Sequence, residues 1–261
     1  MYAPIDITAF PPDRETGLRN IKRYRMFEVM YYRPTVWEHT QRVMWIVEAL
    51  SPHIRDFLDV NVEKARVMAL VHDDAEMITG DIPAGHKARM TPEELKKLDD
   101  DEFTAIDTLS ARYPHSVHGY TYKDLVREMV HYTSNEAKFV SLADKIDAHC
   151  ESYHEVFAGN LTLISSMAFY INTLQRFGEK FPELASFVRS NAHPLIQEIG
   201  PLPANGKVGP KDFEAFNKPH TRASLSVPSR FPFYDAWRSM VVERGGEEGV
   251  RWLTEQRESV Q

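Results

Sequence analysis

Apolar residues recur every three or four positions along most of the chain, the spacing of helices that bury one face. Leu18, Ile21 and Phe27, with Tyr24 or Arg25 between them, keep that spacing through LRNIKRYRMFEVMYY, and Pro34 closes this first helix. Thr35 is placed to cap a second, VWEHTQRVMWIVEAL, in which Val36, His39, Val43, Ile46, Val47 and Leu50 share one broad face before Ser51-Pro52 ends it. A third helix starts near Val62 and runs into residues 67–87, VMALVHDDAEMITGDIPAGHK, where Gly80, Asp81 and Pro83 stop it. Thr91-Pro92-Glu93-Glu94 reads as a helix start, with a Thr cap, Pro in the first position and Glu94 closing a capping box.

Further helical patterns cover residues 123–132 and the long EAKFVSLADKIDAHCESYHEVFAG, for which Asn135 is the expected cap. Residues 160–190 continue as one or two helices broken near Gly178 and Pro182, and a last helix spans about 234–255 with an interruption at Gly245-Gly246. Residues 1–16 and 194–232 are rich in Pro or turn formers and read as irregular. No alternating strand pattern, internal repeat or low-complexity tract is visible. The expectation is an all-α protein: an arm over 1–17, a helical domain over 18–190, and an extension over 191–261 that packs on the core.

Residues 67–87 turn within a few positions from an apolar face to metal-type donors. His72 and Asp73 are adjacent, and Glu76 stands one helical turn past His72 on the same side. His39 lies on the inward face of the second helix and Asp144 on the long one. Two imidazoles and two carboxylates suit a divalent transition ion or, less tightly, Mg²⁺. Four ligands also leave coordination positions open, as in catalytic sites. Asp74 and Asp147 are read as solvated or paired to Lys145 and its neighbours. Cys150 reads as a small core residue, and Trp37, Trp45, Trp237 and Trp252 as core or interface anchors.

With 43% apolar and 26% charged residues, the composition is that of an ordinary globular protein. A formal charge of −7 gives no electrostatic footprint for nucleic acid or an anionic membrane, and no apolar run approaches a membrane span. One cysteine excludes an intrachain disulfide, and MYAPIDITAFPPDR has neither the basic nor the apolar region of a signal peptide. A cytoplasmic protein is expected.

Four separated blocks, NIKRYRMF, WEHTQRV, LVHDDAEMITGDIP and SLADKID, agree in order and spacing with one known pattern. In it, Arg and an aromatic residue are followed by EH, then HDxxExxxGDxP, then ADK. Over about residues 18–150 the chain resembles the HD-domain metal-dependent phosphohydrolases, and most of all their YfbR-like 5′-deoxynucleotidase branch. The resemblance implies a helical HD domain with His39, His72, Asp73 and Asp144 as metal ligands. It implies Glu76 as the catalytic carboxylate, Asp81 as a catalytic and substrate contact, and Arg23, Tyr24 and Lys87 as substrate contacts. Tyr24 stands where that family usually has Trp, and Lys87 also reads as a plain exposed lysine.

The implied activity is hydrolysis of nucleoside phosphates, 5′-deoxynucleoside monophosphates above all, with Mn²⁺, Co²⁺, Mg²⁺ or another divalent ion as cofactor. A deoxynucleoside triphosphate triphosphohydrolase and a non-catalytic nucleotide-binding module are the alternatives. The expected partner is a small nucleotide, with no membrane and no stable nucleic acid. Self-association as a homodimer is expected from the apolar surface of the last helix, through Trp237, Val241, Val242 and Trp252.

Overall fold

Thr35 begins the helix that carries His39, and it does so with both halves of a capping box. Its hydroxyl accepts from the Glu38 N–H at 3.4 Å, and the Glu38 carboxylate accepts from the Thr35 N–H at 3.0 Å. In the computed structural model, which describes residues 2–197, 225, 228–229 and 231–257, the described chain is helical apart from one small hairpin. Its long helices are α2 (Val36–Ile54), α6 (Pro92–Ser110) and α8 (Asn135–Phe157). Shorter ones are α1 (Asp13–Asn20), α3 (Val62–Val71), α4 (Glu76–Thr79), α5 (Ala84–Lys87), α7 (Tyr122–His131) and α9 (Ile164–Gln175). After α10 (Phe177–Lys180) and α11 (Ala185–Val188), α12 (Pro232–Thr254) ends the described part. Contacts divide the chain into two units. The first holds the residues up to Met26 with Pro34–Glu48 and Val60–Ser141; the second holds Phe27–Arg33, Ala49–Asp59 and the described residues from Leu142 on.

In the first unit, Leu18, Val36 and Trp37 form a buried cluster on which Ile7, Ile21 and Met77 pack. The expected capping box at Thr91 and Glu94 starts α6. Several boundaries differ from the sequence expectation. Helix α1 begins at Asp13, inside the supposed arm, and stops at Asn20 because Ile21 is extended (φ −88°, ψ 114°). Lys22 then bridges to Thr35, and the Arg23 N–H donates to the Pro34 carbonyl at 3.0 Å. Arg23 and Tyr24 therefore follow a single bridge residue in a bend, not on a helix, with Tyr24 buried in the left-handed region at φ 57°. Helix α2 continues past Pro52 to Ile54. The cap of α8 is Ser134, whose hydroxyl accepts from the Ala137 N–H at 3.2 Å, so Asn135 is already helical. A hairpin absent from the sequence expectation pairs β1 (Ser116–Val117) with β2 (Tyr120–Thr121). Two-residue strands are too short to show alternation, but His118 and Gly119, both at positive φ, make its turn.

In the second unit, Tyr153 and Phe157 of α8 meet Phe233 and Tyr234 of α12 in a cluster of ring contacts. Asp147 is fully buried and accepts a 2.7 Å hydrogen bond from Trp237 Nε1, so it is neither solvated nor a partner of Lys145 alone. Of the four residues on which the dimer expectation rests, Trp237, Val241 and Trp252 are buried within this unit and Val242 is half-buried. Cys150 is buried as expected. Helix α12 breaks at Gly246 (φ 55°, ψ −135°), inside the expected interruption. Most of the expected irregular stretch 194–232 lies outside the described residues.

Candidate active site

The turn after α3 brings the site together. Residues 72–75 do not continue the α-helix: the Asp74 and Glu76 N–H groups bond three residues back, to Val71 and Asp73 carbonyls, at 3.1 and 3.0 Å. A regular helical turn from His72 to Glu76, expected from their spacing, is therefore replaced by tighter turns before α4 opens at Glu76. His72, buried at the end of α3, donates from Nδ1 to the Ala69 carbonyl at 2.7 Å. Its ring centroid lies 5.3 Å from that of His39, which is fully buried on α2. Asp73 reaches both: Oδ2 is 3.6 Å from His39 Nε2 and Oδ1 is 3.3 Å from His72 Nε2. Arg23 Nη1 is 3.7 Å from Asp73 Oδ2, and the Arg23 guanidinium stands 5.7 Å from the Tyr24 ring centroid.

Three carboxyls and two cations shape the field here. Burial pushes the Glu76 carboxyl well above its usual range, and the charges of Asp73 and Asp81 push it further, with Arg23 and Lys87 opposing. Glu76 Oε2 is buried and has no hydrogen-bond partner among the described residues. Burial raises Asp81 as well, against the pull of Arg23. Burial works against the Lys87 ammonium, but Glu102, which accepts from Lys87 Nζ at 3.1 Å, together with the charge of Glu76 and with Tyr132 holds the lysine above its ordinary value. Lys87 is therefore a half-buried, paired cation, not an exposed one.

His39, His72, Asp73, Arg23, Tyr24, Glu76, Asp81 and Lys87 all belong to the first unit. Asp144 is on α8 in the second unit, where its carboxylate accepts from Lys145 Nζ. The sequence reading missed Glu102 and misread Asp74, which is fully buried and paired to Arg14 at 2.7 Å. An acidic residue beside the metal-type pair and an arginine early in the chain were the available signals, but a separation of 60 positions hid their pairing.

The profile of the YfbR-like 5′-deoxynucleotidase family matches residues 16–195. The chain belongs to this family. A 5′-deoxynucleotidase of Yersinia pseudotuberculosis is 32% identical over 145 residues, which are 53% of this chain and 70% of that protein. One from Vibrio vulnificus is 28% identical over 127 residues, 48% of this chain and 64% of that one. Among solved structures, an HD-domain phosphohydrolase from Listeria innocua superposes with a TM-score of 0.52 at 21% identity, covering 72% of this chain and 88% of its own. A conserved hypothetical protein from Pyrococcus furiosus superposes at 0.55 with 22% identity, covering 71% of this chain and 95% of its own. These likenesses show the HD fold.

As a YfbR-like chain, the protein is an HD-fold hydrolase, and HD-domain phosphohydrolases are metal-dependent. The first unit's donors fit such an ion. A carbonyl can only accept, so Nδ1 of His72 carries a proton, and in the neutral ring Nε2 carries the lone pair. That atom is buried, has no hydrogen-bond partner among the described residues, and faces a carboxylate oxygen at 3.3 Å. Two lone-pair donors turned on one another are what a cation reconciles, and imidazole with carboxylate suits a divalent ion. Among the described residues, no helix is long and apolar enough to cross a membrane.

Proposed function

We propose that the chain hydrolyses 5′-deoxynucleoside monophosphates to nucleoside and inorganic phosphate, with a divalent metal held by His39, His72, Asp73 and Asp144. The observation that carries this reading is the convergence of His39, His72 and Asp73 with Arg23 and Glu76 in a chain of the YfbR-like family. Asp144 joins the set from its ADK sequence block. A divalent ion held by these residues would supply Lewis-acid chemistry, polarising a phosphoryl oxygen and lowering the pKa of a bound water to about 7.

The remaining work falls to side chains of the chain itself. Arg23, beside Asp73, offsets phosphate charge, and Lys87 is kept protonated by Glu102 to do the same at longer range. Burial and its acidic neighbours keep a proton on Glu76 further up the pH scale than on an ordinary glutamate. Glu76 thus delivers that proton to the leaving 5′ oxygen as a water adds to phosphorus and the ester bond breaks, and the proton shed by the water restores Glu76. Asp81 and Tyr24 contact the sugar. A third carboxylate ligand would make the site net negative and repel the substrate, which favours Glu76 as the acid and not as a ligand. A cytoplasmic location accords with such a substrate.

Product analysis over a panel of nucleotides with Mn²⁺, Co²⁺ and Mg²⁺ tests the reading. Inorganic phosphate released from deoxynucleoside monophosphates supports it. Triphosphate released from deoxynucleoside triphosphates would assign the site to that reaction instead, and nucleotide binding without turnover would make the chain a regulatory module.

A further inference from the structure

Arg14 touches none of the candidate ligands, yet its guanidinium spans the turn that carries two of them. Nε donates to both carboxylate oxygens of Asp74, at 3.1 and 3.0 Å. Nη2 donates to Asp74 Oδ1 at 2.7 Å and also to the Leu70 carbonyl at 2.8 Å. The Tyr122 hydroxyl donates to Asp74 Oδ2 at 3.2 Å, and the Phe10 ring lies 4.4 Å from the guanidinium carbon. All these groups belong to the first unit, and Arg14 and Asp74 are almost wholly buried.

Leu70 precedes His72-Asp73 in the chain and Asp74 follows it. In a continuing α-helix the Leu70 carbonyl would accept the Asp74 N–H. Here it accepts from Arg14, and the Asp74 N–H turns to Val71 at 3.1 Å. The helix breaks at the residues that must aim inward. Helix α1 is also seated close to this region: a Cβ on Gly17 would lie 2.8 Å from Met77 Sδ, next to Glu76. A buried ion pair adds little net stability compared with apolar groups of the same volume, so its distinctive contribution is geometric.

We propose that Arg14 is a positioning residue: by holding the Leu70 carbonyl and the Asp74 carboxylate together, it sets the turn that aims His72 and Asp73 at the metal. This rests on the reading of those two residues as ligands. Leu70 and Asp74 of the clamp lie within LVHDDAEMITGDIP, whereas Arg14 and Tyr122 lie outside every motif that pointed to the site.

The test is the full-length variant R14M/D74L/Y122F, which replaces the polar triad with apolar groups and frees the Leu70 carbonyl for the residue-74 N–H. Three quantities are read: the melting temperature without metal, the Mn²⁺ affinity by titration, and the His72 tautomer by nitrogen NMR without metal. The clamp predicts a variant that melts close to the parent, binds Mn²⁺ roughly 10–100-fold more weakly, and loses the single Nδ1–H tautomer. Unchanged affinity and an unchanged tautomer in the folded variant overturn it. If the triple variant does not fold, Arg14→Lys gives the same reading, because an ammonium keeps the charge but lacks the fork that reaches both acceptors. A shifted tautomer supports the clamp there too, and a parent-like one overturns it. A parent chain that takes up no Mn²⁺ defeats the functional reading separately, while the tautomer still decides the clamp.

Discussion

His72 is tied to Ala69: its Nδ1–H donates to the Ala69 carbonyl at 2.7 Å, which leaves Nε2 as a lone-pair donor beside Asp73. A hydrogen bond of this kind fixes both the tautomer and the orientation of a metal-binding imidazole.

His72→Ala or Asp73→Ala is therefore expected to strip the metal while leaving the helical circular dichroism in place. Elemental analysis of wild type and variants after reconstitution checks this. Variants that retain wild-type metal would remove both residues from the ligand set.

Glu76→Gln is expected to lower kcat by about 10²–10⁴ with metal content unchanged, since it removes a proton donor and keeps the shape. Metal per chain and kcat are measured on one preparation. A joint fall would make Glu76 a ligand, and persisting activity would give the proton to another group.

The fold's helices were legible where capping chemistry and periodicity agreed, as at Thr35 and Thr91, whose boxes both form. They were misread where a tertiary contact overrides the local signal. Ile21 and Tyr24 keep helical spacing with Leu18, yet backbone pairing of Lys22 with Thr35 and of Arg23 with Pro34 draws this segment off the helix. His72 to Glu76 looked like one helical turn, but Arg14 takes the Leu70 carbonyl that a continuing helix would give to the Asp74 N–H, and the chain tightens from there. The site's donors were visible because His, Asp and Glu cluster in one stretch. Their supports, Arg14 and Glu102, lie far off in sequence, and no periodicity links them to the motif.

His149 supplies a test by pH. Both its ring nitrogens are buried without hydrogen-bond partners among the described residues, and the ring stacks on Phe233 at 5.2 Å. Burial pushes its pKa from 6.5 down to about 3. The unfolded chain therefore binds the proton first, so stability is full above pH 6.5 and is lost as pH falls from there towards 3. At pH 5 the share of this one residue is about 2 kcal/mol. His149→Phe should flatten that slope in denaturant titrations run at several pH values. Parallel curves for parent and variant would contradict the argument.

Gly249 tests the break in α12. A Cβ there would lie 2.2 Å from the Val241 carbonyl oxygen, an approach made by residues eight apart only because the chain turns at Gly246. Gly249→Ala is expected to cost about 1–3 kcal/mol of stability. That outweighs the gain of up to about 1 kcal/mol that alanine brings to a helix interior. A denaturation midpoint at or above the parent's would mean that the two arms are not packed this way.

The most direct test of the account is phosphate release from a 5′-deoxynucleoside monophosphate as metal is returned stepwise to stripped protein. The account predicts no release at zero metal, release that rises in proportion to bound ion, and none from His72→Ala under the same conditions. Equal release from stripped and reconstituted protein, or no release from any deoxynucleotide at full occupancy, would contradict it.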